Sequence, residues 1–122
     1  MLRFIRSVGM ALSGIGHAFI TQRHVRIHAF CAVAVIAAGI CLRLSRAEWA
    51  WIAIAIGSVI AAELFNTAIE HVVDLASPER HPLAKSAKDT AAGAVLVIAA
   101  TAVVIGLLVL GPHVWALLTQ KG

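Results

Sequence analysis

The chain of 122 residues is 61% hydrophobic and only 13% charged, against roughly a quarter charged in soluble domains. That composition excludes an ordinary soluble domain and implies a chain fitted to lipid. Its net charge of +4 comes from basic residues grouped beside apolar runs, so it reports membrane orientation and leaves room for an anionic ligand, not nucleic acid.

The first twenty residues, MLRFIRSVGMALSGIGHAFI, place Phe4, Ile5, Val8, Leu12, Ile15 and Phe19 largely three to four apart. That spacing makes one apolar helix face over about 3–20, with Arg3, Arg6, Ser13 and His17 mostly elsewhere. A basic amphipathic helix ahead of a span is expected to lie in the interface plane. Gly9, Gly14 and Gly16 weaken it as a free helix. The stretch lacks the solid apolar core and nearby cleavage site of a signal peptide, so removal is not expected.

Residues 27–42 form the next apolar run, flanked by Arg26 and Arg43, which can snorkel from its ends. A span over about 24–43 follows. Cys31 and Cys41 fall on different faces of that one span and read as packing residues, not a disulfide. A second span is expected over about 47–75 and a third over about 86–118. Residues 90–120 carry no Asp, Glu, Lys or Arg, longer than the ~20 residues that cross hydrocarbon. The fold class expected is an all-α integral membrane protein, one domain over 1–122, with a surface helix and three transmembrane helices.

Arg3, Arg6, Arg23, Arg26, Arg80, Lys85 and Lys88 flank one side of these spans, and Arg43, Arg46 and Lys121 the other. The excess assigns the N-terminus and the 75–88 loop to the cytoplasm. Trp49, Trp51 and Trp115 then all fall at the outer interface, where aromatic belts belong.

The second span ends in AELFNTAIEHVVDL, residues 61–74. Glu63, Asn66, Glu70 and Asp74 recur at steps of three, four and four, which keeps them on one helical stripe. At 1.5 Å per residue from an entry at Glu48, Glu63 lies about 22 Å and Glu70 about 33 Å along the helix. In a ~30 Å core, Glu63 is inside the inner leaflet and Glu70 at its cytoplasmic edge. An acid at that depth costs roughly 2.5–3.5 kcal/mol, so it needs a partner, a proton or a task. A polar knot gluing helices together would be the structural alternative.

The third span opens HPLAKSAKDTAAGAVL. It sets Lys85, Lys88 and Asp89 level with Glu70 and Asp74, where acids could hold a divalent cation while Lys88 meets phosphate. Asp89 near a helix start also suits the macrodipole. The small residues AAGA at 91–94 would allow close helix approach. His24 and His28 stand four apart but lack a third metal ligand. No Walker A motif, kinase glycine loop or nucleophile–base triad is present. A small channel would account for Glu63 but not for the basic Lys88 entrance.

The motif AELFNTAIEHVVDL resembles the signature of the prokaryotic diacylglycerol kinase and undecaprenol kinase family, and DLASPERHPLAKSAKDTAAGAVL is similar to its undecaprenol kinase branch. The resemblance runs from Arg3 to the end of the third span. It implies a homotrimeric enzyme of the bacterial cytoplasmic membrane that phosphorylates a lipid alcohol with MgATP, at sites shared between subunits. By that resemblance Glu63 is the general base and Glu70 a metal and nucleotide ligand. Asn66, Asp74, Lys88 and Asp89 belong to the nucleotide site, Arg3 contacts phosphate, and Glu79, Arg80 and His81 border the nucleotide. The chain departs from the pattern at Gln22, where relatives carry a second metal-binding Glu, and at Met10, where many have an aromatic near the adenine. Undecaprenol is the expected lipid, with diacylglycerol the alternative, and Gln22 opens the possibility of a slow or inactive member.

Overall fold

A computed structural model describes residues 1–119; Lys121, counted above for orientation, lies outside them. Four helices follow in order: α1 (Leu2–Thr21), α2 (Arg23–Leu42), α3 (Arg46–Ala76) and α4 (Pro82–Thr119). The last three are long and apolar enough to cross a membrane. Among the described residues, nine apolar side chains are buried, so most of the apolar surface turns outward, as suits a chain whose solvent is lipid.

Gln22 alone separates α1 from α2, in extended backbone (φ −105°, ψ 115°), and its N–H closes the first helix on the Ala18 carbonyl at 2.8 Å. The last carbonyls of α1 need donors. Arg26 supplies them, its Nη1 donating to Phe19 O at 3.0 Å and Ile20 O at 2.9 Å. The arginine expected to snorkel thus caps the preceding helix.

The turn from α2 to α3 has a specific stop and start. Arg43 adopts the left-handed conformation (φ 56°). Its N–H bonds Ile40 O and the Leu44 N–H bonds Gly39 O, each at 3.2 Å, closing α2 in a Schellman arrangement. Ser45 then caps α3: its Oγ accepts from Glu48 N–H at 3.3 Å, while Glu48 Oε2 accepts from Ser45 N–H at 2.8 Å. Glu48 Oε1 also meets His113 Nε2 of α4 at 2.8 Å, tying the start of α3 to the end of α4. Near this turn, Leu44, Ile52 and Val109 form the buried apolar cluster, with Val35, Trp49, Ile56 and Ile105 packed on it.

α3 and α4 run antiparallel and share the largest helix–helix contact, with α2 lying across both and α1 reaching only α2 and α3. Of the AAGA run, Ala91 alone is buried, and a Cβ built on Gly93 would meet nothing within 4 Å. The close approach falls instead at Gly39, against Trp49 and Leu44. Cys31 and Cys41 are free thiols at the surface.

Candidate active site

Glu63 sits on the face of α3 turned toward α2 and is 5% exposed. Its Oε1 lies 3.1 Å from Nε2 of His28, which α2 presents across the interface. Thr67, also buried, donates its hydroxyl to the Glu63 main-chain carbonyl at 2.9 Å and leaves the carboxylate alone. The acid that the sequence places at membrane depth is therefore buried in the protein, beside one imidazole.

One turn along α3, the Asn66 side-chain amide donates from Nδ2 to Glu70 Oε1 at 3.1 Å. That bond fixes the amide's orientation, because the reverse would set its oxygen against a carboxylate. Asn66 Oδ1 is left buried with no hydrogen-bond partner among the described residues. An unpaired buried acceptor beside a carboxylate suits a hard cation, for which oxygen is the preferred donor. No group of three metal-binding side chains gathers among the described residues. A carboxylate and an amide oxygen are compatible with Mg²⁺, which usually takes one or two carboxylates and completes its shell with phosphate and water. Glu70 and Asn66 would be the residues to hold it.

Beyond Glu70 the polar stripe opens into a cleft of about 680 Å³ where α3 turns into α4. Asp74, Glu79, Arg80, His81, Lys88 and Asp89 all line it. Local chemistry shapes this corner. Pro82 begins α4 at the position where a missing N–H costs nothing. His81 Nδ1 caps the new helix by accepting from Leu83 N–H at 3.1 Å, and Ser77 Oγ bonds Glu79 O at 3.1 Å across the turn. Lys88 reaches back from α4 to pair with Asp74, whereas Lys85 pairs with Asp89 one turn along its own helix. Lys88 thus already has an anionic partner, which an incoming phosphate would have to share or displace.

The remaining sequence-derived positions are not drawn into this group within one chain. Arg3 and Met10 are exposed on α1, and among the described residues Arg3 makes no ion pair. Gln22 is half-buried at the joint between α1 and α2. His28 is the polar residue that sequence reasoning did not place at Glu63. Its spacing of four from His24 points to a shared metal only with a third ligand that the sequence lacks, and the structure sets His28 against Glu63 of α3. The ring of His17 meets that of His71 edge-on, centroids 5.6 Å apart, and joins α1 to the same polar segment of α3.

Comparison with known proteins adds an independent finding. The sequence model described as prokaryotic diacylglycerol kinase matches residues 9–110. An undecaprenol kinase of Bacillus subtilis is 47% identical over 110 residues, covering 90% of this chain and 89% of that protein. A diacylglycerol kinase of Synechocystis is 47% identical over 109 residues, 88% of this chain and 62% of the relative. A diacylglycerol kinase of Pseudomonas aeruginosa is 36% identical over 92 residues, 75% of each chain.

Proposed function

Since the chain belongs to the prokaryotic diacylglycerol kinase family and is a membrane lipid kinase, we propose that it transfers the γ-phosphoryl group of ATP to a membrane lipid alcohol, most specifically undecaprenol, at the polar stripe of α3. The observation that carries this reading is Glu63, a carboxylate 5% exposed on the same helix face as Asn66, Glu70 and Asp74. Undecaprenol is favoured because the relative that matches over 90% of this chain and 89% of its own length bears that name. Diacylglycerol is the second reading, favoured by the names of the two other relatives.

The mechanism follows from depth and charge. The lipid hydroxyl arrives from the hydrocarbon side, and Glu63 accepts its proton as the oxygen attacks the γ-phosphorus; the bond to the β-phosphate oxygen breaks and ADP leaves. A buried carboxylate close to the hydroxyl is what general base catalysis requires. Glu63 and Asp74 are about 16 Å apart along the helix at 1.5 Å per residue, so the triphosphate lies along the stripe between them. Lys88 and Arg80 supply positive charge in the cleft, and Asn66 and Glu70 would hold Mg²⁺. Bound there, the ion would supply charge neutralisation on the phosphates, the main demand of phosphoryl transfer. The α3–α4 turn and the N-terminus face the cytoplasm in this reading, with α1 lying along the membrane surface.

A homotrimer completes the site. Arg3 and Met10, remote from the cleft within one chain, then serve a neighbour's nucleotide, and Gln22 approaches the metal without a carboxylate's affinity.

The test is label transfer from γ-labelled ATP to undecaprenol or diacylglycerol in mixed micelles, with and without Mg²⁺. Preferential Mg²⁺-dependent labelling of undecaprenol is expected. Preferential labelling of diacylglycerol would exchange the two readings, and no label on either lipid would remove both. Glu63→Gln should lower kcat by about 10²–10⁴, the usual contribution of a general base, with ATP binding retained. A variant as active as the parent would exclude Glu63 as the base.

A further inference from the structure

We propose that His28 is a positioning residue for Glu63, holding one carboxylate oxygen so that the other faces the lipid hydroxyl; this rests on the reading of Glu63 as the base. A carboxylate buried in low dielectric must be paired or hydrogen-bonded to persist as a charge. Two hydrogen-bond donors on α3 stand close enough in sequence to serve, and each is otherwise engaged. Thr67 donates to the main-chain carbonyl of Glu63, and Asn66 donates to Glu70. Among the described residues, His28 is the side chain that reaches the Glu63 carboxylate, with Nε2 at 3.1 Å from Oε1.

The direction of the bond follows from the chemistry of the pair. An ionised carboxylate only accepts, so Nε2 carries the proton and donates it to Oε1. Oε2 keeps its lone pairs for the incoming hydroxyl. The arrangement is that of a base whose orientation is set by a third group.

His28 also stands at a boundary. The residue lines an apolar cavity of about 290 Å³ between α2, α3 and α4, with Val35, Ile52, Val59 and Ala102 among its walls. Its side chain is 27% exposed against 6% for that of Glu63. His28 therefore touches both the buried carboxylate and the lining of that apolar space. A residue that merely glued α2 to α3 would need no such outward edge.

The experiment compares His28→Leu and His28→Gln in the full-length, detergent-purified chain, using whichever lipid alcohol the parent phosphorylates better. Glutamine carries an N–H donor near the place of Nε2, and leucine carries none. His28→Leu is expected to lower kcat about ten-fold or more, as loss of base orientation would, while the KM for ATP stays within about two-fold of the parent. His28→Gln should recover most of the lost kcat. Adding His28→Leu to Glu63→Gln should cost nothing further, because non-additivity marks residues acting as a unit.

Should His28→Leu fail to fold, His28→Asn replaces it, its shorter amide falling short of Glu63. Parent-like kcat in the leucine variant, or a glutamine variant no better than leucine, would overturn the proposal while leaving Glu63 as base. Full activity in Glu63→Gln, or a parent that labels neither lipid, would instead remove the reading on which it rests.

Discussion

Replacing Gly39 by alanine would drive a methyl group into two neighbours at once. A Cβ at that position would lie 2.8 Å from Cη2 and 3.1 Å from Cζ2 of Trp49, and 2.9 Å from Cδ1 of Leu44. Carbon atoms pack at about 3.5–4.0 Å, so both side chains must retreat by roughly 0.7 Å. Leu44 belongs to the buried cluster and Trp49 packs on it, leaving neither an easy exit. Overpacking of this kind costs about 1–3 kcal/mol, and the helix propensity of alanine over glycine returns about 1 kcal/mol. With two neighbours displaced, a net loss of about 1–2 kcal/mol is expected. Equilibrium unfolding in mixed micelles of mild detergent and dodecyl sulfate, followed by tryptophan fluorescence, would measure it. Phenylalanine lacks the outer indole ring, so Trp49→Phe should relieve part of the loss, with a coupling of at least about 0.5 kcal/mol. A Gly39→Ala variant as stable as the parent, additive with Trp49→Phe, would refute the close approach at this turn.

Lys88→Ala should raise the KM for ATP about ten-fold, the scale of one charge-assisted hydrogen bond, and leave the preference between lipids unchanged; selective loss of one lipid would contradict the placement of Lys88 at the nucleotide. Gln22→Glu should lower the Mg²⁺ concentration for half-maximal activity about ten-fold, a typical effect of altering a metal's surroundings. An unchanged Mg²⁺ titration would show that the reaction does not depend on a carboxylate there. Arg43→Gly should stabilise the chain by up to about 1 kcal/mol by relieving left-handed backbone strain; a less stable variant would mean that the arginine side chain contributes more than the strain takes away.

The helices and the polar stripe were legible because both are local. Apolar runs and the three-to-four spacing of apolar residues mark the helices, and steps of three and four put Glu63, Asn66, Glu70 and Asp74 on one side of α3. What local pattern cannot convey is which residues meet across helices. His24 and His28 share a face of α2, yet the contact that matters for His28 is on α3, and its choice depends on how the two helices are set against each other. Lys88 was legible as a cation at the cleft, but not its pairing with Asp74, which needs the geometry of the α3–α4 turn. Small residues mislead for a related reason. AAGA at 91–94 and Gly39 are equally small, but the neighbour's bulk decides where smallness is needed, and Trp49 stands opposite Gly39. The arginine at 26 carried a signal for its capping role only in its distance from the end of α1, which the sequence blurs because α2 begins after a single residue.

That single residue leaves the chain no slack. Gln22 is the whole linker between α1 and α2, and Arg26 splints the joint by gripping the carbonyls of Phe19 and Ile20. The rotational phase of α1 is thus inherited from α2 and not chosen by α1 itself. One residue inserted at this extended joint would lengthen the link by up to about 3.3 Å and change the direction in which α1 leaves α2. Ala18, buried against its neighbours, and His17, edge-on to His71, would swing away together. Length at this joint is a quantity under as tight a constraint as the chemistry of any side chain beside it.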